Sequence, residues 1–406
     1  MTAKNAVPSC GSRGSVGALL WRLRRESILY FVENQLEHGL ILDRQRNFGR
    51  RDKKGLISLS ATGMGLIALA LAAEPETAIL TKREARARIR RALRTALKLP
   101  QVDGMMPHFV DSQTLAPVGS DAISTIDSSW LFAGALWAAE FTGDKEIRRL
   151  ANKLFNRVDW NAWSNGKLLQ HGADVEGKKL VSVWDRFNAE TAFMYVLAIG
   201  ADKDKALPAS SWNALGLFEG TLGKRTFISA DLGLFTFQYS LALLDGAKLP
   251  RCRGKNLLHE CIEGTLANFE FCQANAANSA TFRTYWGISA GDGPPVTAGG
   301  VDEYRAYAPG SNDSTGHVEA TLGSLDVAPE AVTANTVAAE EPQSMQFHGR
   351  YGYSNINVDK KFVSRDVVGI DVGMALFGLD NTLHNERVRQ TFMRLRPVRR
   401  FLRRTK

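Results

Sequence analysis

The feature of this sequence that most constrains its fold is a series of about a dozen helical patterns joined by short linkers. Apolar residues return every three or four positions, and the alternation typical of strands is sparse. Some segments carry boundary signals: Thr81 precedes Glu84 by three residues, as in a capping box, and Thr142-Gly143-Asp144 is a stop followed by a new start. We predict helices over Val16–Gln35, Ser60–Ala73, Lys82–Leu97, Thr125–Thr142, Lys145–Val158, Asn188–Ile199, Ser210–Leu217, Leu232–Leu244, Lys255–Gln273, Thr315–Leu322, Pro329–Glu340, Val372–Leu379 and Asn385–Leu395.

So many helices in one chain without a Pro/Ser-rich linker favour an all-α fold, an (α/α)6 toroid of six hairpins packed in a ring. We expect a flexible N-terminal segment at residues 1–20, a single domain at 21–396 and a basic tail at 397–406. Three long loops, at 102–119, 161–187 and 279–314, are rich in Gly, Asp, Asn and aromatic residues. Loops this long are more often functional than idle.

The net charge of +9 over 406 residues is concentrated at the C-terminus. From Arg387 onward the chain has eight arginines and one lysine and no acid, so the remainder is formally neutral. We therefore expect no nucleic-acid partner, and at most a weak contact of the C-terminal arginines with an anionic surface. The four cysteines lie in no metal-ligand spacing and are expected to be free thiols.

Targeting and cofactor signals are missing from the sequence. The N-terminus lacks the apolar region of a secretory signal, and the longest apolar run, 66–73, is too short to cross a bilayer. The compartment stays unknown, with cytoplasmic as the default expectation. Because no P-loop, dinucleotide-binding glycine motif or HExxH helix occurs, we expect no nucleotide and no metal cofactor.

The segment 281–324 carries the densest set of candidate binding residues. Aromatic faces beside carboxylates and amides are suited to sugars, since the rings stack on C–H faces and the polar groups bind hydroxyls. The alternative is that Asn312 or Asp313 caps the following helix. The residues concerned are Tyr285, Trp286, Asp292, Tyr304, Tyr307, Asn312 and Asp313.

Acids elsewhere in the chain complete a candidate catalytic set. Asn188 and Glu190 mark a loop-to-helix junction, where a carboxylate either favours the helix dipole or serves as a proton donor or base. Asp127 begins an otherwise apolar helix, so we expect its carboxylate either to be paired with another polar group or to have a functional role. Glycoside hydrolysis requires two carboxyl groups, in either a retaining or an inverting arrangement. The nominees are Asp127, Glu190, Asp292, Asp313 and Asp371, with Asp43, Arg44, His108 and His171 in support.

An ordered series of motifs over nearly the whole chain resembles the glycoamylase-like family that includes the bacterial endo-β-1,2-glucanases (glycoside hydrolase family 144). Related domains occur in cyclic β-1,2-glucan synthases. The motifs are GLILDRQRN (39–47), SLSATGMGLIAL (58–69), PHFVD (107–111), STIDSSWLFAGAL (124–136), LLQHGAD (168–174), WDRFNAE (184–190), YWGISAGDGP (285–294), AYAPGSNDST (306–315), RYGYSNIN (350–357) and GIDVGMAL (369–376).

The resemblance implies a glycoamylase-like (α/α)6 domain whose loops form a cleft at one face, and carboxylate acid/base hydrolysis of a β-glucan or exopolysaccharide, with β-1,2-linked glucan as the expected substrate. Glu190 corresponds to the expected acid/base, with Asp127, Asp313 and Asp371 as the other catalytic residues. The substrate-binding residues implied are Asp43, Arg44, His108, His171, Asn188, Trp286, Asp292, Tyr307, Asn312 and Asn355.

The chain departs from the family pattern at several motif positions. Asn355 stands where relatives have aspartate, Val372 replaces a glutamine, and Ser314 and Val318 replace glycine and proline. An asparagine keeps its hydrogen-bonding capacity but cannot act as a base. A catalytically weakened sugar-binding or polysaccharide-assembly protein on the same fold is therefore the alternative to a hydrolase.

Overall fold

A computed structural model describes residues 15–297, 302–342 and 345–406, and helices dominate this part of the chain. Three short 3-10 helices, at Leu234–Phe237, Pro309–Ser311 and Leu322–Ser324, lie among the α-helices. The α-helices are α1 Val16–Glu33, α2 Leu59–Leu71, α3 Lys82–Ala96, α4 Thr125–Thr142, α5 Lys145–Asn156, α6 Ala192–Gly200, α7 Ser211–Ala214, α8 Tyr239–Leu243, α9 Leu257–Ala274, α10 Ala280–Thr284, α11 Val318–Thr321, α12 Pro329–Glu340, α13 Gly369–Leu383, α14 Arg387–Met393 and α15 Arg396–Arg404.

Short antiparallel strands occupy the connections between helices. The largest sheet has four strands in the order β2-β3-β4-β5, and the other sheets are two-stranded. The strands are β1 Arg44–Arg46, β2 Leu56–Ser58, β3 Met106–Asp111, β4 Pro117–Ser124, β5 Gly172–Ala173, β6 Glu219–Leu222, β7 Arg225–Ile228, β8 Ala290–Gly293, β9 Glu303–Ala306, β10 His348–Gly349, β11 Gly352–Tyr353, β12 Ile356–Asn357, β13 Phe362–Val363 and β14 Asp366–Val368.

Six helices, α2, α4, α6, α8, α11 and α13, form the centre of the molecule. Every residue of α2 and α6 is buried, which explains why these segments are apolar on all sides. Going along the chain, α2 contacts α4, α4 contacts α6 and α6 contacts α8, while α13 contacts α11, α8 and α2. By contrast, α3 and α5 are amphipathic and lie outside, with charged residues facing the solvent.

Helices α2 and α4 approach until their backbones touch. A Cβ atom added to Gly134 would lie 1.9 Å from the carbonyl oxygen of Gly63, and one added to Gly63 would lie 2.2 Å from that of Trp130. No side chain fits in this contact, so both positions require glycine. This contact fixes the spacing between the two helices.

Two start signals in the sequence are confirmed. Thr81 and Glu84 form a capping box, in which each side chain binds the backbone N–H of the other residue. Gly143 takes a left-handed conformation that ends α4, and the Asp144 side chain then caps α5. The three described cysteines are buried free thiols, as expected. Cys10 lies outside the described residues.

The C-terminal residues, expected as a tail in solution, instead form α15 against α6. Pro397, Val398 and Phe401 are buried, because their spacing places them on one face of the helix. Arg404 donates to the carbonyl oxygen of Ala201 at the end of α6. The expected N-terminal segment 1–20 also differs in part: α1 begins at Val16, while residues 1–14 lie outside the described part.

Within the described residues, no helix is both long enough and apolar enough to cross a membrane.

Candidate active site

Polar side chains at or just before the starts of several central helices lie close to one another. Burial raises the pKa of the Tyr239 hydroxyl well above its ordinary value, and Tyr304, Asp371, Glu190 and Asp127 raise it further electrostatically. Groups from α4, α8, α13 and the turn before α6 are therefore close enough to interact. The structure thus brings together Asp127, Glu190 and Asp371, three of the four predicted catalytic residues.

Asp127 is held in place by hydroxyl groups. Ser60 at the start of α2 donates to one carboxylate oxygen at 2.5 Å, and Ser124 donates to the other at 2.5 Å. His108 on β3 places Nε2 3.6 Å from the same carboxylate. These contacts supply the partners that a buried acid needs, so Asp127 has a fixed orientation.

Glu190 lies in the turn just before α6, which begins four residues later than the predicted start at Asn188. The Asn188 side chain accepts hydrogen bonds from the backbone N–H groups of Glu190 and Thr191, at 3.1 and 3.3 Å. Asn188, predicted to bind substrate, is buried and shapes this turn. Among the described residues, none donates a hydrogen bond to the Glu190 carboxylate. Burial and the negative charge of Asp127 raise the pKa of Glu190 to about 7, although Arg186 opposes this shift.

Asp371 occupies the first turn of α13. Its carboxylate likewise receives no hydrogen bond from the part of the chain that the structure describes. Burial raises the pKa of Asp371 well above its ordinary value, and the charges of Asp292 and Asp43 add to this, while Arg44 opposes it. The proton affinity of this carboxyl group is therefore high.

Arg44 on β1 organises two of the neighbouring acids. Its Nη1 atom lies 3.0 and 2.9 Å from the two carboxylate oxygens of Asp292, and its Nε lies 3.4 Å from Asp43. Asp292 is only 1% exposed, so this cation compensates a carboxylate that has little access to water. Asn355 donates to the backbone carbonyl of Asp292 at 2.9 Å, a bond that a carboxylate at this position could not make.

Two tyrosines belong to this group: Tyr304, which the sequence analysis names among the candidate sugar-binding residues, and Tyr239, which it does not name. Tyr304 on β9 is 44% exposed as a whole residue, but its hydroxyl is buried. Burial is the main cause of the raised pKa of this hydroxyl, and Asp371, Asp43, Asp292 and Glu190 add to it. Tyr304 stands in the loop whose aromatic residues drew attention in the sequence. Tyr239 follows the 3-10 helix at Leu234–Phe237 and has no comparable signal in its surroundings.

Three of the predicted substrate-binding residues, Trp286, Tyr307 and Asn312, make contacts that serve the fold. Trp286 and Tyr307 are 4% and 2% exposed within an apolar cluster, so neither ring offers a free face to a sugar. Asn312 accepts from the Ser314 N–H and donates to the Pro309 carbonyl, as a turn residue does. Their packing could not be read from the sequence, because a buried and an exposed aromatic residue look alike there.

Asp313, the fourth predicted catalytic residue, is also committed to structural contacts. One oxygen accepts from the Thr315 hydroxyl at 2.6 Å, and the other lies 3.0 Å from the Lys360 amine. Although burial alone would raise it, the pKa of Asp313 is lowered by the bonds to Thr315 and Lys360. This carboxyl group therefore stays ionised and bound, unlike those of Glu190 and Asp371.

His171 precedes β5 and packs beside Trp184 rather than beside the central acids. Its ring centre lies 4.2 Å from that of Trp184. Burial lowers the pKa of His171, so the ring is neutral near pH 7.

The described residues include no group of three or more His, Cys, Asp or Glu side chains arranged to hold a metal ion.

Comparison with solved structures shows the same fold in several bacterial proteins. A crystal structure described as a putative glucoamylase, from Bacteroides uniformis, has a TM-score of 0.84 and 19% identity, and covers 97% of this chain and 98% of its own. An endo-beta-1,2-glucanase from Chitinophaga pinensis, in complex with sophorotriose and glucose, has a TM-score of 0.82 and 17% identity. The matched region covers 97% of this chain and 98% of the glucanase chain. A beta-1,2-glucanase from Parabacteroides distasonis has a TM-score of 0.83 and 19% identity, over 98% of this chain and 61% of its own.

Sequence comparison gives a consistent result. A search of curated proteins found no significant match. The model of the family described as "Glycoamylase: Putative glucoamylase" matches residues 182–396, which is more than half of the chain and includes Glu190, Asp292 and Asp371. The chain therefore belongs to this glycoamylase family.

Proposed function

We propose that the protein is a glycoside hydrolase that cleaves a β-glucan, with β-1,2-linked glucan as its substrate. Membership of the family and the glucanase names of two proteins with the same fold support this proposal. In it, the six central helices are the inner ring of an (α/α)6 toroid, and the chain from α1 to α15 is one domain. The substrate binds at the end where these helices begin.

The observation that carries the proposal is the difference between two kinds of carboxyl group. Asp127, Asp292 and Asp313 are bound by hydroxyl groups, an arginine or a lysine. The carboxylates of Glu190 and Asp371 have no such partner among the described residues, and both have raised pKa values. Partly buried acids that the fold leaves unengaged are suited to proton transfer.

In the proposed mechanism, Glu190 is the general acid. With a pKa of about 7, it keeps a proton at mildly acidic pH and can give that proton to the glycosidic oxygen as the bond from this oxygen to the anomeric carbon breaks. In an inverting reaction, Asp371 takes a proton from the water that attacks the anomeric carbon. In a retaining reaction, Asp371 itself bonds to the anomeric carbon, and water then breaks this ester bond while ionised Glu190 takes the proton of the water. The anomeric form of the first product distinguishes these two routes.

The remaining polar groups bind and orient the sugar. Asp127, held by Ser60 and Ser124, can accept a hydrogen bond from a sugar hydroxyl in a fixed direction. Tyr304 presents an exposed ring beside the acids, so in this proposal it takes the stacking role that the sequence predicted for Trp286 and Tyr307. The Arg44–Asp292 pair forms a rigid, charge-compensated wall.

The test is to incubate the purified protein with linear β-1,2-glucan and with β-1,3- and β-1,4-linked glucans, and to separate the products by chromatography. We expect oligosaccharides from the β-1,2-glucan, and a loss of about 10²-fold or more in turnover for Glu190→Gln, since proton transfer contributes 10²–10⁴-fold. Glu176→Gln, an exposed glutamate outside the group, is the matched control. Unchanged turnover in Glu190→Gln would remove this residue from the acid role.

A second candidate is a sugar-binding or polysaccharide-assembly protein without catalysis. Asn355 favours it, because a family position for an acid is here an amide bonded to the backbone of Asp292. Binding of the glucan without any new reducing ends, measured on the same samples, would support this alternative over hydrolysis.

A further inference from the structure

Glu319, at the start of α11, is a buried acid that the proposed mechanism does not use. It is 3% exposed. Its Oε2 atom accepts the backbone N–H of Tyr353 at 2.8 Å, whereas Oε1 is buried without a hydrogen-bond partner in the described part of the chain. A buried carboxyl oxygen without a partner is unfavourable, so its presence calls for a function.

The neighbourhood of Glu319 leads directly to Asp371. Both residues line one small cavity of about 10 Å³, together with Asn355 and Asp366. A cavity of this size has about the space of one water molecule. Asp366 also places a buried oxygen, Oδ1, in this region without a hydrogen bond, although Arg46 lies 3.6 Å from it. Three carboxyl groups thus surround a space for a single small molecule.

Three carboxyl groups this close and this buried do not all ionise near neutral pH. Burial raises the pKa of Glu319 well above its ordinary value, and the nearby charges of Glu26 and Asp371 raise it further. Glu26 on α1 is itself paired with His348, at 2.8 Å. Arg46 and Arg44 favour the charged form of Asp366, although burial raises the pKa of this group overall. Arg44 also favours the charged form of Asp371. No cation in the described part of the chain acts in this way on Glu319, so Glu319 is the one of the three groups that keeps its proton.

We propose that Glu319 is a protonated positioning residue whose Oε1 hydroxyl donates a hydrogen bond, through one water molecule in the cavity, to the carboxylate of Asp371. This proposal rests on the proposed function, in which Asp371 acts as base or nucleophile. The donated bond stabilises ionised Asp371 at a pH where Glu190 still holds its proton. Glu319 therefore acts on the reaction through the ionisation of Asp371, although it does not touch the substrate.

Two variants with similar size separate the donor from the charge. Gln keeps an N–H donor at the same place, whereas Met removes it. We expect Glu319→Gln to keep kcat on β-1,2-glucan within about two-fold and to leave its pH profile unchanged. We expect Glu319→Met to lower kcat about 10-fold and to move the acidic limb of the profile upward by about one pH unit, since Asp371 loses a hydrogen bond to its charged form. Urea unfolding of both variants verifies that they are folded.

An infrared measurement tests the proton on Glu319 without relying on activity. The C=O stretching band of a protonated carboxylic acid should be present at pH 7 and decrease in Glu319→Gln. If the natural protein does not cleave glucan, the proposed function fails while this band still reports on Glu319. If the protein is active, two results overturn the inference: a normal pH profile in Glu319→Met, or a band at pH 7 that is the same with and without Glu319.

Discussion

Replacement of Glu190 by glutamine is expected to stabilise the protein in alkaline solution while it removes activity. The pKa of Glu190 is raised from 4.5 to about 7 by burial and by the charge of Asp127. At pH values between these two, the folded protein holds a proton at Glu190 that the unfolded chain has released. The stability contributed by this proton is complete below pH 4.5 and is lost as the pH rises through about 7.

The size of the effect follows from the same two pKa values. At 1.36 kcal/mol for each pH unit, a rise from 4.5 to about 7 means that ionised Glu190 disfavours the folded state by about 3 kcal/mol at pH 8. Glutamine has the same shape and no charge. The free energy of unfolding of Glu190→Gln, relative to the natural protein, should therefore increase by about 3 kcal/mol between pH 4.5 and pH 8.

Urea unfolding curves at pH 4.5 and pH 8 measure this double difference. Glu176→Gln, at an exposed position, controls for the general effect of removing one acid and should change little between the two pH values. If Glu190→Gln differs from the natural protein by the same amount at both pH values, or is less stable at pH 8, the explanation of its raised pKa by burial is wrong.

Two further predictions concern the parts of the fold that support this site. Asp380 on α13 is fully buried and binds Arg24 at 2.8 Å and Arg387 at 3.0 Å, so Asp380→Asn, which leaves the buried Arg24 without its anion, should lower the free energy of unfolding by about 3–5 kcal/mol. Asp202→Asn breaks the exposed pair with Arg400 and should change the free energy of unfolding by less than about 1 kcal/mol. Urea unfolding that shows equal losses of stability in Asp380→Asn and Asp202→Asn would contradict this reasoning. Gly134→Ala should destabilise by about 3 kcal/mol or more, because its Cβ would lie 1.9 Å from a carbonyl oxygen, whereas Gly17→Ala has room for the methyl group and should be neutral or slightly stabilising. A melting temperature of Gly134→Ala that matches the natural protein would refute the close contact.

The sequence predicts the helical architecture well, because apolar periodicity and caps are local signals. The capping box at Thr81 and the stop at Gly143 are confirmed. The end of the chain was harder to predict: the arginines of α15 dominate its composition and conceal the apolar face at Pro397, Val398 and Phe401. Net charge says little about whether one side of a helix is buried.

Within the site, acids at helix starts were easier to predict than aromatic residues. Asp127 and Asp371 lie in the first turn of a helix and Glu190 lies two residues before one, and all three are close enough to act on Tyr239. Whether an aromatic residue is a platform or part of the core depends on contacts distant in the sequence. For that reason the sequence does not separate Tyr304, which lies beside the acids, from the buried Trp286 and Tyr307, and it gives no signal for Tyr239.

The glycine contact between α2 and α4 has a consequence for how such a site could diversify. Ser60 and Asp127 are the second and third residues of these helices, so their hydrogen bond of 2.5 Å is set by two backbones that already touch. Neither helix can slide against the other without a clash between main-chain atoms. The loops that follow or precede these helices can therefore vary in length and sequence, and with them the ligand preference, while the Asp127 carboxylate keeps its position and orientation.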